Sequence, residues 1–313
     1  MTVSPWLYLA AFVGSAVLSI LLVWVSIRIA HRTGMVDSPD GGRKQQQRPI
    51  PKIGGIAVAL AFTIAFLVAV AVSGDATELE LLASVILPAL GVAALGFVDD
   101  VRALNPWVRL LAQTLFAFIV WWAGTQVSFT RVEWLDLLIT LLWIVGLTNA
   151  MNLLDNSDGL AASTTLVAAV GTGIIAALYG QFFVAGLAFA LAGIALGFLW
   201  HNWAPATVYL GDAGAYFLGF LLAIVTLRLR PVGINLPWSA LIPLLLVLLP
   251  VADTAFVVAR RIFEGRHPFT PGRDHLSHVL MSRGLSVRGS VGVLQGVLVL
   301  SVAGAVALAV AAA

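Results

Sequence analysis

Long apolar runs separated by short polar segments divide the 313-residue chain. A window of about 20 residues suits one bilayer crossing. Ten such spans emerge, at residues 6–28, 54–73, 81–98, 107–124, 135–149, 160–179, 182–200, 213–228, 238–259 and 289–312. The fifth is short. The sixth and seventh are joined only by Tyr179, Gly180 and Gln181, a link that fits a helical hairpin. The pattern predicts an all-α, polytopic membrane protein of about ten transmembrane helices. With no internal repeat, residues 1–313 read as a single membrane-embedded domain. The first run, Trp6 to Ile27, lacks a preceding basic segment and a following cleavage signal, so it reads as a helix and not as a removed leader.

Composition agrees. Hydrophobic residues make up 60% of the chain and charged ones 10%, too few to cover a soluble domain of this length. There is no Cys, which excludes a disulfide framework, a thiolate metal site and a Cys nucleophile. The net charge of +2 is small, so its distribution carries the information. Ten spans put residues 29–53, 99–106, 150–159, 201–212 and 260–288 on one side of the membrane. Those loops and the adjacent span ends hold 14 of the 17 Lys and Arg; only Arg131, Arg228 and Arg230 fall opposite. The positive-inside rule makes the basic side cytoplasmic and puts both termini outside, in a multi-pass protein of the plasma or inner membrane. The acidic loop with Asp75, Glu78 and Glu80 then also lies outside. Membrane lipid is an expected partner, nucleic acid is not, and a homodimer stays open.

The same parity gathers the unusual polar clusters at the cytoplasmic mouth. Asn149 to Asp158 packs three Asn and two Asp into ten residues between apolar runs. Carboxylates at the end of a membrane helix are costly unless they bind something. Asn149, Asn152 and Asp155 follow one another at three-residue spacing, so a continuing helix groups them on one face, and Asp158-Gly159 offers a further oxygen ligand. Oxygen-only ligands suit Mg²⁺ or Mn²⁺. A capped helix end explains two of these five polar residues, not all of them.

Asp99-Asp100 closes an apolar span, where adjacent carboxylates need a metal ion or Arg102 beside them. Gly211-Asp212 stands at a helix entrance, as an anion-binding N-terminus or a plain cap. Trp200-His-Asn-Trp203 and Tyr209 suit a nucleobase or an interfacial aromatic belt. Residues 260–288 carry six Arg, three His and Asp274, a set fitted to pyrophosphate. Headgroup contact alone explains Arg260 and Arg261, but not His275 and His278. Asp253 falls inside the ninth span, either functional or paired to a neighbouring helix.

In this order the motifs resemble the polyprenyl-phosphate N-acetylhexosamine-1-phosphate transferase family, through Asp37-Ser-Pro-Asp40, Pro51-Lys-Ile-Gly-Gly55, Asp99-Asp100, Asn149 to Ala161, Asn202, Tyr209, Gly211-Asp212 and His275-Leu-Ser-His278. The resemblance implies transfer of a sugar-1-phosphate from a UDP-sugar to a polyprenyl phosphate, with UMP released and Mg²⁺ required. It implies metal ligation by Asp212 with Asp158, and catalytic roles for Asp99, Asp100, His275 and His278. Asp99 would stand nearest the attacking lipid phosphate, as base or nucleophile. It implies substrate contacts from Lys44, Asn152, Asp155, Asn202, Tyr209 (against uracil) and Arg273. Three departures from the family pattern, at Gln46, Asn156 and Ser277, favour an N-acetylhexosamine donor. A transporter or a CDP-alcohol phosphotransferase is the competing reading. Against the first, the acids cluster at one mouth; against the second, Ser163 stands where Arg is required.

Overall fold

The computed structural model describes residues 4–38, 48–73, 82–130, 132–230, 236–268, 270 and 272–312. Lys44, and the acidic residues Asp40, Asp75, Glu78 and Glu80, fall outside them. In chain order the helices are α1 (Pro5–Thr33), α2 (Gly54–Ser73), a π-helical turn (Leu82–Ile86) running into α3 (Leu87–Val101), α4 (Pro106–Trp122), α5 (Glu133–Leu154), α6 (Leu160–Leu178), α7 (Phe182–Asn202), α8 (Gly211–Leu227), α9 (Leu236–Leu246), α10 (Leu248–Phe263), α11 (Leu276–Ser282) and α12 (Val287–Ala312). The two short strands β1 (Val36–Asp37) and β2 (Ile50–Pro51) pair antiparallel.

Every expected span coincides with helix, but the described residues do not contain ten full-length crossings. Seven helices are long and apolar enough to span a membrane, or eight if the bent pair α9–α10 counts as one. The helices at expected spans four and eight, α4 and α8, are only 17 residues long. Expected span nine is not one helix: α9 and α10 meet at an 80° bend. Pro250 supplies a cause, because its ring clashes with the carbonyl four residues earlier, at Leu246, where α9 stops. Span five is longer than its apolar window, reaching Leu154 and so carrying Asn149 and Asn152 on helix.

α8 is the centre of the bundle. It packs against α2, α3, α5, α6 and α7, and every residue from Ala213 to Leu227 is buried. Because protein surrounds it, the bilayer does not dictate its length. The outer pair α1 and α7 is held by small residues: a Cβ on Gly193 or Gly197 would overlap the carbonyl oxygens of Phe12 and Ala16. That close crossing is how apolar helices gain packing energy in lipid. Ser19 adds a hydrogen bond to the Ile194 carbonyl at 2.9 Å.

Candidate active site

The connections expected on one side of the membrane do converge, at the end of the bundle where α3, α5 and α7 finish and α8 begins. They enclose a cavity of about 1640 Å³. Single small-molecule sites run to about 300–1,000 Å³, so this one has room for two reactants.

The first wall is the α5–α6 turn. Asn152 lies on the last turn of α5, and Asp155 caps it. Asn152 Nδ2 donates to Asp212 Oδ1 at 2.6 Å, bridging α5 to the first turn of α8. Enclosure pushes the Asp155 carboxyl well above the usual carboxylate range, and the acids Asp212, Asp100 and Asp158 push it further. Asp158 is raised by burial, offset by the Ala206 N–H that donates to Oδ2 at 2.9 Å. Asn149 departs from the expected common face: it donates to Gln113 at 2.5 Å and does not line the cavity.

The second wall is the entrance to α8. Asp100 accepts from the N–H groups of Asp212 and Ala213, at 3.1 and 3.2 Å. The anion at this helix N-terminus is therefore a side chain of α3, not a ligand. Gly211 has φ +68°, and a Cβ there would lie 2.7 Å from Asp100 Oδ2 and 2.9 Å from the Lys52 carbonyl. Only glycine allows both the turn and the approach. Asp99 lies off the lining but beside the Asp212 carboxyl. It is 7% exposed, outside the cavity lining, and takes Arg109 Nη1 at 2.7 Å, Tyr216 Oη at 3.1 Å and the Leu104 N–H at 2.8 Å. Its charge partner is Arg109, not Arg102, one of the two partners expected for the acid pair.

The third wall is Tyr209 with the segment from Arg48. Tyr209 N–H donates to the Pro51 carbonyl at 2.8 Å, and Gly54 N–H to the Tyr209 carbonyl at 3.2 Å. Burial, then Asp158, Asp37 and Asp155, push the phenol up to about 12, so the ring is neutral. Asn202 braces this wall from behind, accepting from Gly159 N–H and donating to the Val208 carbonyl, both at 2.9 Å. Trp200 is 76% exposed and outside the lining, as is Trp203, which leaves Tyr209 as the one Phe, Tyr or Trp among the lining residues.

The fourth wall is the segment before α12. Arg273 and His278 line the cavity; His275 does not. His275 is buried, with Nδ1 2.8 Å from Asp253 Oδ2, and the Leu276 N–H donates to Asp253 Oδ1 at 2.8 Å. Asp253 is thus a paired acid, and its partner comes from a connecting segment instead of a neighbouring span. One residue earlier, Asp274 is gripped by Arg261 through two bonds of 3.0 and 2.9 Å. Arg261, with Arg266 behind it, holds the Asp274 carboxyl well below its usual range. Headgroup contact does not account for Arg261, which is 3% exposed. Burial, then His275 and Arg273, lower the His278 pKa, and its Nδ1 is buried without a partner among the described residues.

The sequence assigns no individual role to several lining residues, among them Asn156, Ser157, Arg48, Lys52 and Arg288. Arg288 Nε donates to the Ala204 carbonyl at 2.6 Å. Two of the positions that depart from the resembled pattern touch one another: Ser277 Oγ donates to Asn156 Oδ1 at 2.5 Å, tying the fourth wall to the first. The basic loop residues were legible as charges, but nothing in their spacing marked which ones face inward.

Among the described residues, no three His, Asp or Glu side chains close around a cation position. The set is instead Asp155, Asp158 and Asp212 on an open cavity, with Asp155 surrounded by acids. Such oxygen donors fit a hard divalent cation, which binds through one or two carboxylates and keeps water or phosphate as its other ligands.

Residues 82–230 match the model of glycosyl transferase family 4. The chain is 32% identical over 290 residues to the probable undecaprenyl-phosphate N-acetylglucosaminyl 1-phosphate transferase of Bacillus subtilis (strain 168), covering 90% of this chain and 79% of that protein. It is 31% identical to the decaprenyl-phosphate N-acetylglucosaminephosphotransferase of Mycolicibacterium smegmatis, over 86% of this chain and 73% of the other. A phospho-N-acetylmuramoyl-pentapeptide-transferase of Streptococcus thermophilus is 32% identical over 58% of this chain and 60% of its own length.

Proposed function

This chain belongs to glycosyl transferase family 4, and from that premise we propose that it moves an N-acetylhexosamine-1-phosphate from a UDP-sugar to a polyprenyl phosphate at the cytoplasmic face, releasing UMP. One observation carries the reading. Four carboxylates (Asp100, Asp155, Asp158 and Asp212) share a single cavity with Arg273, Arg288, Arg48 and His278, at the end of a membrane bundle. A site for two anionic reactants needs a cation to join them and guanidinium groups to offset their repulsion.

In this reading an oxygen of the lipid phosphate attacks the phosphorus bonded to the sugar. The bond from that phosphorus to the bridging oxygen breaks, and UMP leaves with the oxygen. A lipid phosphate is already ionised at neutral pH, so no strong base is required and direct attack is favoured over an aspartyl intermediate. Asp212 and Asp158 hold Mg²⁺ or Mn²⁺, with Asp155 beside them. The ion supplies charge neutralisation at the donor diphosphate. Asn152 fixes the Asp212 carboxylate, and Asp100 fixes the start of α8 that carries it. Tyr209 stacks on uracil. Arg273 and His278 cover sugar and diphosphate, with His278 neutral. His275, off the lining, acts through position, and so does Asn202, which lines the cavity with its carboxamide already bonded to Gly159 and Val208. Asp99 holds Arg109 at the α3–α4 end of the site.

The test is turnover by the full chain with short-chain polyprenyl phosphate and a panel of UDP-sugars, UDP-N-acetylglucosamine first. Mg²⁺-dependent release of UMP and formation of the lipid diphosphate sugar is the expected result. Release of CMP from a CDP-alcohol, or transport without chemistry, would overturn it.

A further inference from the structure

α8 has a second end. Its 17 residues span about 25 Å, so Arg228, which caps it, lies across the bundle from Asp212. Three connections meet there: the segment after α4, the α6–α7 turn and the exit from α8. Arg228 Nε donates to Thr125 Oγ1 at 2.8 Å, and Thr125 is 1% exposed. Arg230 is fixed just as firmly. Its Nη1 and Nη2 donate to the carbonyls of Leu227 and Gln126, at 3.1 and 2.5 Å. Its main chain exchanges hydrogen bonds with the Gln181 carboxamide, at 3.2 and 2.6 Å.

Every one of these partners is neutral. No ion pair among the described residues involves either guanidinium. Arg228 is part-buried, and burial and then Arg230 lower its pKa. Arg228 is a cation partly withdrawn from water with no counter-ion among the described residues, which is costly, and the neighbouring charge of Arg230 adds to that cost. The pair also sits against the charge asymmetry of the chain, since these are two of the three basic residues outside the cavity-forming loops. At the same end Trp122 and Trp134 are 78% and 67% exposed, the placement of indoles at headgroup level.

We propose that Arg228, held by Thr125, and Arg230 form a binding site for a phosphate group at the membrane face opposite the catalytic cavity. Two guanidinium groups held in place by neutral acceptors match the several oxygens of a phosphate. The phosphate belongs to a lipid headgroup or to a free anion, and the chemistry of recognition is the same for both. The site makes no use of the transfer reaction, so it stands or falls separately from the proposed function.

The experiment measures binding to the full-length protein in neutral detergent micelles, by native mass spectrometry and thermal unfolding. The probes are phosphatidylglycerol, diacylglycerol and inorganic phosphate. Phosphatidylglycerol is expected to bind and to raise the unfolding temperature, while diacylglycerol does neither. Arg228→Gln with Arg230→Gln should weaken that binding by roughly tenfold or more. An equal, arginine-dependent effect from inorganic phosphate would identify the free anion as the source. If the double variant does not fold, Arg230→Gln alone, at the exposed guanidinium, must still weaken binding. Undiminished phosphatidylglycerol binding by the folded variant, or no binding of either phosphate probe to the wild type, overturns the proposal.

Discussion

Asp253→Ala tests how the histidine-bearing wall is held. Asp253 is 1% exposed and accepts two hydrogen bonds of 2.8 Å, from His275 Nδ1 and the Leu276 N–H. Bonds to a charged acceptor contribute about 1.5–3 kcal/mol each, so their joint loss costs on the order of 3–6 kcal/mol. The element that depends on them, α11, has seven residues and no independent stability. Asp274, still gripped by Arg261, anchors the segment on one side only. The expected outcome is faster amide exchange over residues 272–283, with the rest of the bundle unchanged. If the closed wall becomes a minority state, donor affinity falls by roughly tenfold or more, in proportion to the lost population. UMP binding stays near wild type, because Tyr209 hangs from other segments. Asp253→Asn, which keeps one acceptor oxygen, should fall between. Wild-type exchange at 272–283 together with wild-type donor affinity would refute the reasoning.

Asp212→Asn should leave the protein folded and inserted but abolish Mg²⁺-dependent turnover; near-normal activity at unchanged Mg²⁺ demand would count against the ligand assignment. Tyr209→Ala should weaken UMP and UDP-sugar binding alike by roughly 5- to 150-fold, since base–aromatic stacking is worth about 1–3 kcal/mol, with Tyr209→Phe mild. His278→Ala should weaken the donor and spare UMP, which calorimetry with each ligand would separate. Asp155 has its pKa raised on folding, so its charged form is a cost to the folded state. Without divalent ions, stability should therefore rise as pH falls from neutral toward the ordinary carboxylate range, and Asp155→Asn should shrink that rise in a melting profile, Asp158 still contributing. Gly197→Leu should prevent α1 from seating on α7 and lower the yield of folded protein in detergent, whereas Gly304→Leu, with open space around it, should not.

The helices were legible because apolar windows of bilayer length leave few alternatives, and each expected span does fall on helix. Two facts escaped that logic. α8 is apolar on all sides because protein surrounds it, and hydropathy does not distinguish that from lipid. The break at Val247 depends on Pro250, which a hydropathy window reads as one neutral residue. The acids of the site were legible as chemically expensive residues at helix ends. Their pairings were not, because Asn152 with Asp212, Asp100 with the α8 N–H groups, and Ser277 with Asn156 are contacts across 60, 112 and 121 residues. Asp99 and Asp100 are neighbours in sequence, yet one faces the cavity and the other faces Arg109; only the helix rotation decides which.

The bend between α9 and α10 decides where the histidine-bearing wall is anchored. α9 packs beside α12, whereas α10 turns away by 80° and exposes Phe263 at 90% and Ile262 at 59%. α10 carries Asp253 and Arg261 and packs against α5, the helix that brings Asn152 and Asp155 to the first wall. Two facing walls of the cavity thus share one footing, and a shift of α5 carries both.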